Sequence, residues 1–469
     1  AGFVNGGGAF IELAKGILIA ERSGRFFFVD PSGQTPKLTL TPIAIDTNEA
    51  GFESAAKAEG YDVKPGRNVG YAGLGMRLHD LLLLRDGKRL MASFMRWSDA
   101  KACATLIFAI AEFMPNADVP EVGPWREMFE TAPCLKLSGI KRKPFAGHQA
   151  GGRMVELADS RILVTVGDFK NDGEKRELST ADAAIDYGKT HVIDLASGEV
   201  SRRFTIGHRN PQGLTIADNG DIWSTEHGPQ GGDEVNRLIP GADYGWPKVT
   251  LGMDCRGCDW QIEGRHEGYQ KPAWAYVPSI GISNLIQIHN FAPLWDGDLL
   301  VASLKGETLH RLRLDGRRVM YDEPIRIGDR IRDLQQLRDG QIALWTDTGK
   351  LIFLTAELQP SRSETLAAKL SPAAQEVVAQ CRLCHDLDSG QGRPGSIPLW
   401  GIVGRKPGAI ENADYSPAMA GAGGAWSVTA LDRFLADPQT AIPGTSMPFD
   451  GVASEDIRKE VVAFLATLK

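Results

Sequence analysis

The sequence lacks any apolar run of the roughly 18 residues that a membrane-crossing helix needs. Its longest candidate, Ala102–Met114, is too short and carries Glu112. Positive charge is not in excess either. With 52 Lys+Arg against 59 Asp+Glu, a net charge of −7 and a pI near 5.8, the chain has no electrostatic footprint for nucleic acid or an anionic membrane surface. The first residues from Ala1 show no charged n-region followed by an apolar h-region, so a signal peptide or anchor is expected to be absent from this sequence. Nucleotide-binding motifs are missing as well. Gly188-Lys189-Thr190 resembles the end of a P-loop, but Ala183 stands where its first Gly belongs, and Gly6-Gly7-Gly8 has no strand–turn–helix context. Cysteine is scarce, with 6 in 469 residues, a length sufficient for two or three domains with full cores.

Two of those cysteines stand in Cys381-Arg382-Leu383-Cys384-His385, a CxxCH motif. Its thiols can form thioethers with haem vinyl groups while the adjacent imidazole ligates the iron. A zinc half-site or a redox CxxC is the plain alternative, and the surrounding sequence argues against it. Downstream, Pro443-Gly444-Thr445-Ser446-Met447-Pro448-Phe449 offers a thioether between turn-forming residues as a second axial ligand. A helix is expected over Pro372–Gln380, then a Gly-rich loop holding Leu399–Arg405, then Tyr415, Trp426 and the Met447 loop. A closing helix is expected over Ser454–Leu468, with Ser454 as N-cap and Glu455 and Asp456 in its first turn. From 373 to 469 the chain resembles a class I cytochrome c, an all-α domain. The resemblance implies one covalent haem c held by Cys381 and Cys384, with His385 and Met447 as iron ligands and Tyr415 and Trp426 packed around it. Haem attachment of this type implies a periplasmic or secreted protein. Cys103, Cys134, Cys255 and Cys258 are then candidates for disulfides. Cys255 and Cys258 are followed by Asp259 rather than His, and a structural disulfide is favoured there over zinc.

Residues 1–356 repeat one device: a turn rich in Gly, Asp or Asn, followed by a β-rich run. The runs begin at Gly16, Lys88, Arg161, Asp221, Asp298 and Gln341, and Asp-Gly or Asn-Gly pairs at 86, 219, 296 and 339 precede four of them. Six such units suit the four-stranded blades of a six-bladed β-propeller better than a pair of β-sandwiches. Glu357–Glu364 is a polar stretch suited to a linker, placed over 357–372 before the cytochrome.

Polar residues recur at equivalent points of these repeats. His148 precedes the third run, which ends at Asp168. Arg209 and Asn210 precede the fourth, which ends in Glu226-His227-Gly228-Pro229. Lys305 ends the fifth, and Arg330 and Arg332 precede the sixth. Strand ends of a propeller converge on one face, so Arg209, Lys305, Arg330 and Arg332 would place four cations around a small polyanion. Gly207–Gly213, Trp223–Pro247, His148–Arg153, Ser303–Gly306 and Arg330–Asp333 together resemble the soluble glucose/sorbosone dehydrogenases, which bind the tricarboxylate pyrroloquinoline quinone (PQQ). The resemblance implies His148 as general base and Asp168 as the group that orients it. It implies Arg209, Asn210, Lys305, Arg330 and Arg332 as holders of PQQ, and the carbonyls of Gly228 and Pro229 as ligands of a calcium ion. Asp233, Glu234 and Tyr244 are candidates for a second calcium, or else form a polar turn. The match weakens toward the N-terminus: Gly70–Gly75 follows the family segment only loosely, and Met95–Phe145, which resembles it little, is expected to shape the substrate pocket.

The expected protein oxidises a sugar or alcohol and passes electrons through its own haem to an external cytochrome, copper protein or oxidase. The alternative is a calcium-dependent propeller hydrolase or binding module whose cytochrome serves a partner protein.

Overall fold

The β-rich runs fold as the second strands of six antiparallel sheets: Gly16–Ala20, Arg89–Ser98, Arg161–Val166, Ile222–Glu226, Leu299–Ser303 and Ile342–Thr346. Each pairs with the strand before it: Ala9–Leu13, Leu78–Leu83, Gly151–Glu156, Pro211–Ile216, Ile282–Gln287 or Ile331–Gln336. These six first strands pack side by side in a closed ring around an axis. The result is a six-bladed β-propeller. The computed structural model describes residues 6–31, 36–61, 75–114, 119–137, 147–171, 180–253, 265–356, 361–388, 397–411 and 413–468. Ala1–Ala356 form one unit and Glu357–Lys469 a second.

The second strands explain why the sequence reads as continuous apolar runs rather than alternation. Gly16–Ala20, Leu299–Ser303 and Ile342–Thr346 are buried along their whole length, because neighbouring blades cover both faces. Full burial of one Leu or Ile side chain contributes roughly 1.5–3 kcal/mol. At the Asp-Gly and Asn-Gly hairpins, Gly87, Gly220, Gly297 and Gly340 all take positive φ, as tight turns require. Blade 2 is the largest sheet, with six strands. The described part of blade 6 has three. Cys103 and Cys134 are disulfide-bonded across a separation of 31 residues, fastening the Leu135–Lys136 strand to Cys103–Met114. Cys255 and Cys258 lie outside the described residues.

At the axis one arginine joins the blades. Arg153, only 6% exposed, donates from Nη1 to Asp80 Oδ1 and to Asp333 Oδ1, each at 2.9 Å, and from Nε to the Gln212 carbonyl at 2.8 Å. Asp333 also accepts from the Phe10 amide at 3.3 Å and from Asn284 Nδ2 at 2.7 Å. Every blade therefore contributes to a single buried network.

The second unit is helical. Ser371 caps Pro372–Cys384, a helix that runs through both cysteines of the CxxCH motif rather than ending at Gln380. Ser454 caps Glu455–Thr467 through the Ile457 amide. Arg362–Ala367, read from sequence as linker, is instead a helix with a complete Ser361/Glu364 capping box. Leu366 and Ala367 pack on the core of this unit, around Val378, Phe434, Val461 and Leu465. Among the described residues no helix is long and apolar enough to cross a membrane.

Candidate functional site

Five of the six first-to-second strand pairs carry a β-bulge near the start of the first strand. The register shifts between Leu78 and Asp80, Gly151 and Met154, Pro211 and Gly213, Ile282 and Leu285, and Ile331 and Asp333. A bulge re-aims the side chains it contains. His79, Arg153, Gln212 and Arg332 fall within these shifts, and all four line one cavity of about 390 Å³ at the mouth of the axis. Its other walls include Arg22, Arg77, His148, Arg330 and Asp347.

Backbone geometry holds His148 there. Gly147 has φ +63°, and a Cβ on it would sit 2.5 Å from Gly75 Cα, so only glycine fits the turn that presents the imidazole. Lys170 Nζ lies 3.4 Å from His148 Nδ1. An ammonium only donates, so Nδ1 accepts and the ring proton of the neutral imidazole is assigned to Nε2. Burial, then the Lys170 and Arg77 charges, push the His148 pKa down to about 4. The ring is therefore neutral well below pH 6.5. We expect an NMR titration of the ligand-free protein to show the His148 ring signals shifting with a midpoint near pH 4, and a midpoint at 6 or above would mean that the ring is not buried beside these cations.

Among the described residues Asp168 is hydrogen-bonded to Trp246 and Lys170 rather than to His148. It is fully buried, with Oδ2 accepting from Trp246 Nε1 at 2.8 Å and Oδ1 from the Lys170 amide at 2.7 Å. The side chain that meets the imidazole is Lys170, two residues further along the same loop. Arg332 grips Asp347 with two hydrogen bonds, Nε–Oδ1 at 2.9 Å and Nη2–Oδ2 at 3.0 Å, and reaches Gln212 Oε1 at 3.1 Å. Arg330 reaches the same carboxylate at 3.2 Å. Burial would raise the Asp347 pKa, but Arg332, Arg330 and Arg77 hold it below the usual carboxylate range.

The remaining expected residues divide. Asn210 is buried, accepting from the Gly151 amide and Gln212 Nε2, and so braces the cavity wall. Lys305 is exposed at the end of its strand and is not among the residues lining the cavity. Arg209 lines a neighbouring crevice with His227, Gly228 and Trp246. Its Nη1 donates to the Gly228 carbonyl at 2.7 Å, and its guanidinium stacks over the Trp246 ring. The Gly228 oxygen expected to bind calcium thus already has a donor.

The side chains proposed for a second calcium do not fit one. Asp233 accepts from the amides of Gly228, Gly281 and Ile282, and the Tyr244 hydroxyl donates to the Arg237 carbonyl and accepts from the Ile239 amide. Both serve the backbone. Glu234 remains, its pKa raised to about 8 by burial and by Glu226. Among the described residues no three His, Cys, Asp or Glu side chains cluster as a metal site. Sequence reasoning missed Arg22, Arg77, His79, Lys170 and Asp347. Arg22 and Asp347 follow the second strands of blades 1 and 6, as Asp168 follows that of blade 3, so the repeat register could have found those two.

In the helical unit, Cys381, Cys384, His385, Tyr415, Trp426 and Met447 all line a cavity of about 280 Å³. Leu399, Leu431, Phe434 and Leu465 make its other walls largely apolar, with Arg405, Lys406 and Asp414 also lining it. Both thiols are free, and burial raises that of Cys381 to about 11. His385 Nδ1 donates to the Ile397 carbonyl at 2.7 Å, which fixes the tautomer and leaves the Nε2 lone pair available for a metal. Two thiols, an imidazole and a thioether around an apolar slot fit a covalently held haem.

A family model described as Glucose / Sorbosone dehydrogenase matches residues 136–353. The uncharacterized protein slr1608 of Synechocystis sp. is 30% identical over 257 residues, and the chain spans 59% of its length. Aldose sugar dehydrogenase YliI of Escherichia coli is 26% identical over 295 residues, covering 59% of this chain and 76% of that protein. Cytochrome c2 iso-2 of Magnetospirillum molischianum is 38% identical over 89 residues, 19% of this chain and 91% of that protein. A solved glucose dehydrogenase superimposes with a TM-score of 0.59 at 23% identity, over 76% of this chain and 98% of that one.

Proposed function

We propose that the chain is a quinohaemoprotein dehydrogenase, because its propeller matches the glucose/sorbosone dehydrogenase family model over residues 136–353 and its C-terminal unit is similar to cytochromes c. It oxidises a sugar or alcohol hydroxyl to a carbonyl and releases the electrons through its own haem. The observation that carries this reading is the arginine-lined cavity around a neutral histidine, in the same chain as an apolar slot with two free thiols, His385 and Met447.

PQQ would supply the two-electron acceptor, and haem the one-electron carrier. Arg330 and Arg332 face the cavity and would bind PQQ carboxylates or carbonyl oxygens, with Arg209, Asn210 and Lys305 reaching it from the adjoining rim. The proton of the reacting hydroxyl would pass to the His148 imidazole as the substrate O–H bond breaks. The Nδ1 lone pair is the basic position while Lys170 holds it, and an anion that draws the ammonium aside would free it to accept the proton. Calcium on the carbonyls of Gly228 and Pro229 would require Arg209 to release Gly228. Cys381 and Cys384 would carry the haem as thioethers, with His385 Nε2 and Met447 on the iron and Tyr415 and Trp426 against the ring, in an all-α cytochrome c domain. Covalent haem and the Cys103–Cys134 disulfide both favour an oxidising, periplasmic compartment. An outside redox protein would take the electrons.

The test is optical. Purified protein given PQQ, calcium and a panel of sugars and alcohols should develop reduced-haem bands with at least one substrate, and none when PQQ is left out. Bands that are equally strong without PQQ would refute the quinone assignment.

A further inference from the structure

The cavity holds more positive charge than the proposed cofactor residues account for. Arg153 is neutralised by Asp80 and Asp333, and Arg330 and Arg332 share Asp347. Asp347 is the one carboxylate among the described residues lining the cavity. The guanidinium groups of Arg22 and Arg77 have no hydrogen bond or ion pair among the described residues, yet both face the cavity, half-buried. Beside them stands His79, 7% exposed, whose Nε2 has no partner among the described residues. Gly152 makes this packing feasible: with φ +101°, a Cβ on it would meet His79 Cβ at 2.7 Å.

Position separates these groups from the proposed cofactor set. Arg209, Asn210, Lys305, Arg330 and Arg332 belong to blades 4, 5 and 6, whereas Arg22 follows the second strand of blade 1, and Arg77 precedes and His79 lies within the first strand of blade 2. His148 enters from blade 3. Arg77 stands near Arg332 and Arg22, and like charges repel; the Asp347 carboxylate it also faces is already shared by Arg330 and Arg332, and Glu49 is the acidic group near Arg22, so a bound anion would relieve the excess. A neutral sugar brings hydroxyls, which accept hydrogen bonds but leave the charge uncompensated. A carboxylate or phosphate matches the fork of an arginine with two parallel hydrogen bonds.

We infer that the substrate is an anionic hydroxy compound, a sugar or related alcohol bearing a carboxylate or phosphate, held by Arg22 and Arg77 with its reacting hydroxyl toward His148. The inference rests on the dehydrogenase reading for turnover, but anion binding can be measured apart from it. The experiment compares glucose, glucuronate and glucose 6-phosphate by calorimetric binding to the full-length protein loaded with haem and PQQ, and by haem reduction. Wild type should favour at least one of the two anions over glucose by tenfold or more in affinity and in kcat/KM, and the favoured probe tells carboxylate from phosphate. In Arg22→Gln and Arg77→Gln that ratio should fall to within about threefold, while PQQ affinity changes less than twofold. Equal binding of glucose and both anions overturns the inference. So does loss of PQQ affinity at an unchanged substrate ratio, which would assign the two arginines to the cofactor. If an anion binds in an arginine-dependent way but no probe reduces the haem, the anionic site stands and the dehydrogenase reading is what fails.

Discussion

His148→Ala is expected to slow substrate-driven reduction of the haem by roughly a hundredfold or more, because the variant has no group to take the hydroxyl proton. Its neighbours argue that the loss would not be a folding defect. The imidazole sits on a loop and, among the described residues, has Lys170 Nζ as its one hydrogen-bond partner, so its removal breaks no strand hydrogen bond. Stopped-flow absorbance should separate proton abstraction from electron transfer. Started with substrate, the variant should be slow. Started with PQQ reduced beforehand, it should reduce its haem as fast as wild type. A variant that matches wild type with substrate would place the base elsewhere, with Lys170 the nearest candidate. A wild type that reduces its haem by neither route would mean that the two units do not exchange electrons directly.

Arg153→Met should cost the propeller about 3–5 kcal/mol, as expected when one partner of a buried ion pair is removed and the other charges stay behind. Here two carboxylates stay behind. Burial already raises the Asp80 pKa to about 7 despite the arginine. Removing the cation leaves Asp80 and Asp333 facing each other across the axis. The cost should therefore depend on pH in a definite direction. It should be largest where Asp80 is ionised and should shrink on acidification, because protonation of Asp80 removes stranded charge. Adding Asp80→Asn and Asp333→Asn to Arg153→Met should recover much of the loss. Denaturant unfolding of the three proteins at two pH values tests this. A loss below about 1 kcal/mol, or one that grows at low pH, would show that the network does not join the blades in the way the contacts suggest.

The sequence by itself determined the six blades and the cytochrome domain, and the reason is local. Second strands covered on both faces must be apolar throughout, and hairpins must place glycine where φ is positive, so both leave marks readable without neighbours. CxxCH and the Met447 loop are likewise short-range chemistry, and the helical unit brings their side chains to one slot. The capped helix at Arg362–Ala367 escaped notice because a polar Ser-Arg-Ser-Glu stretch reads equally well as linker until Leu366 and Ala367 are seen to pack.

Tertiary structure alone decided which polar side chains meet. The bulges that turn His79, Arg153, Gln212 and Arg332 toward the axis shift register by a residue or more, and such a shift reverses which face a side chain occupies. No periodicity in the sequence announces it. Lys170 in place of Asp168 at His148, the Arg209 contact to Gly228, and the unpaired Arg22 and Arg77 all arise between residues far apart in the chain. Burial removes water as a partner there, so each polar group must find another across blades. Those pairings, and the charge they leave over, depend on how the blades close into a ring.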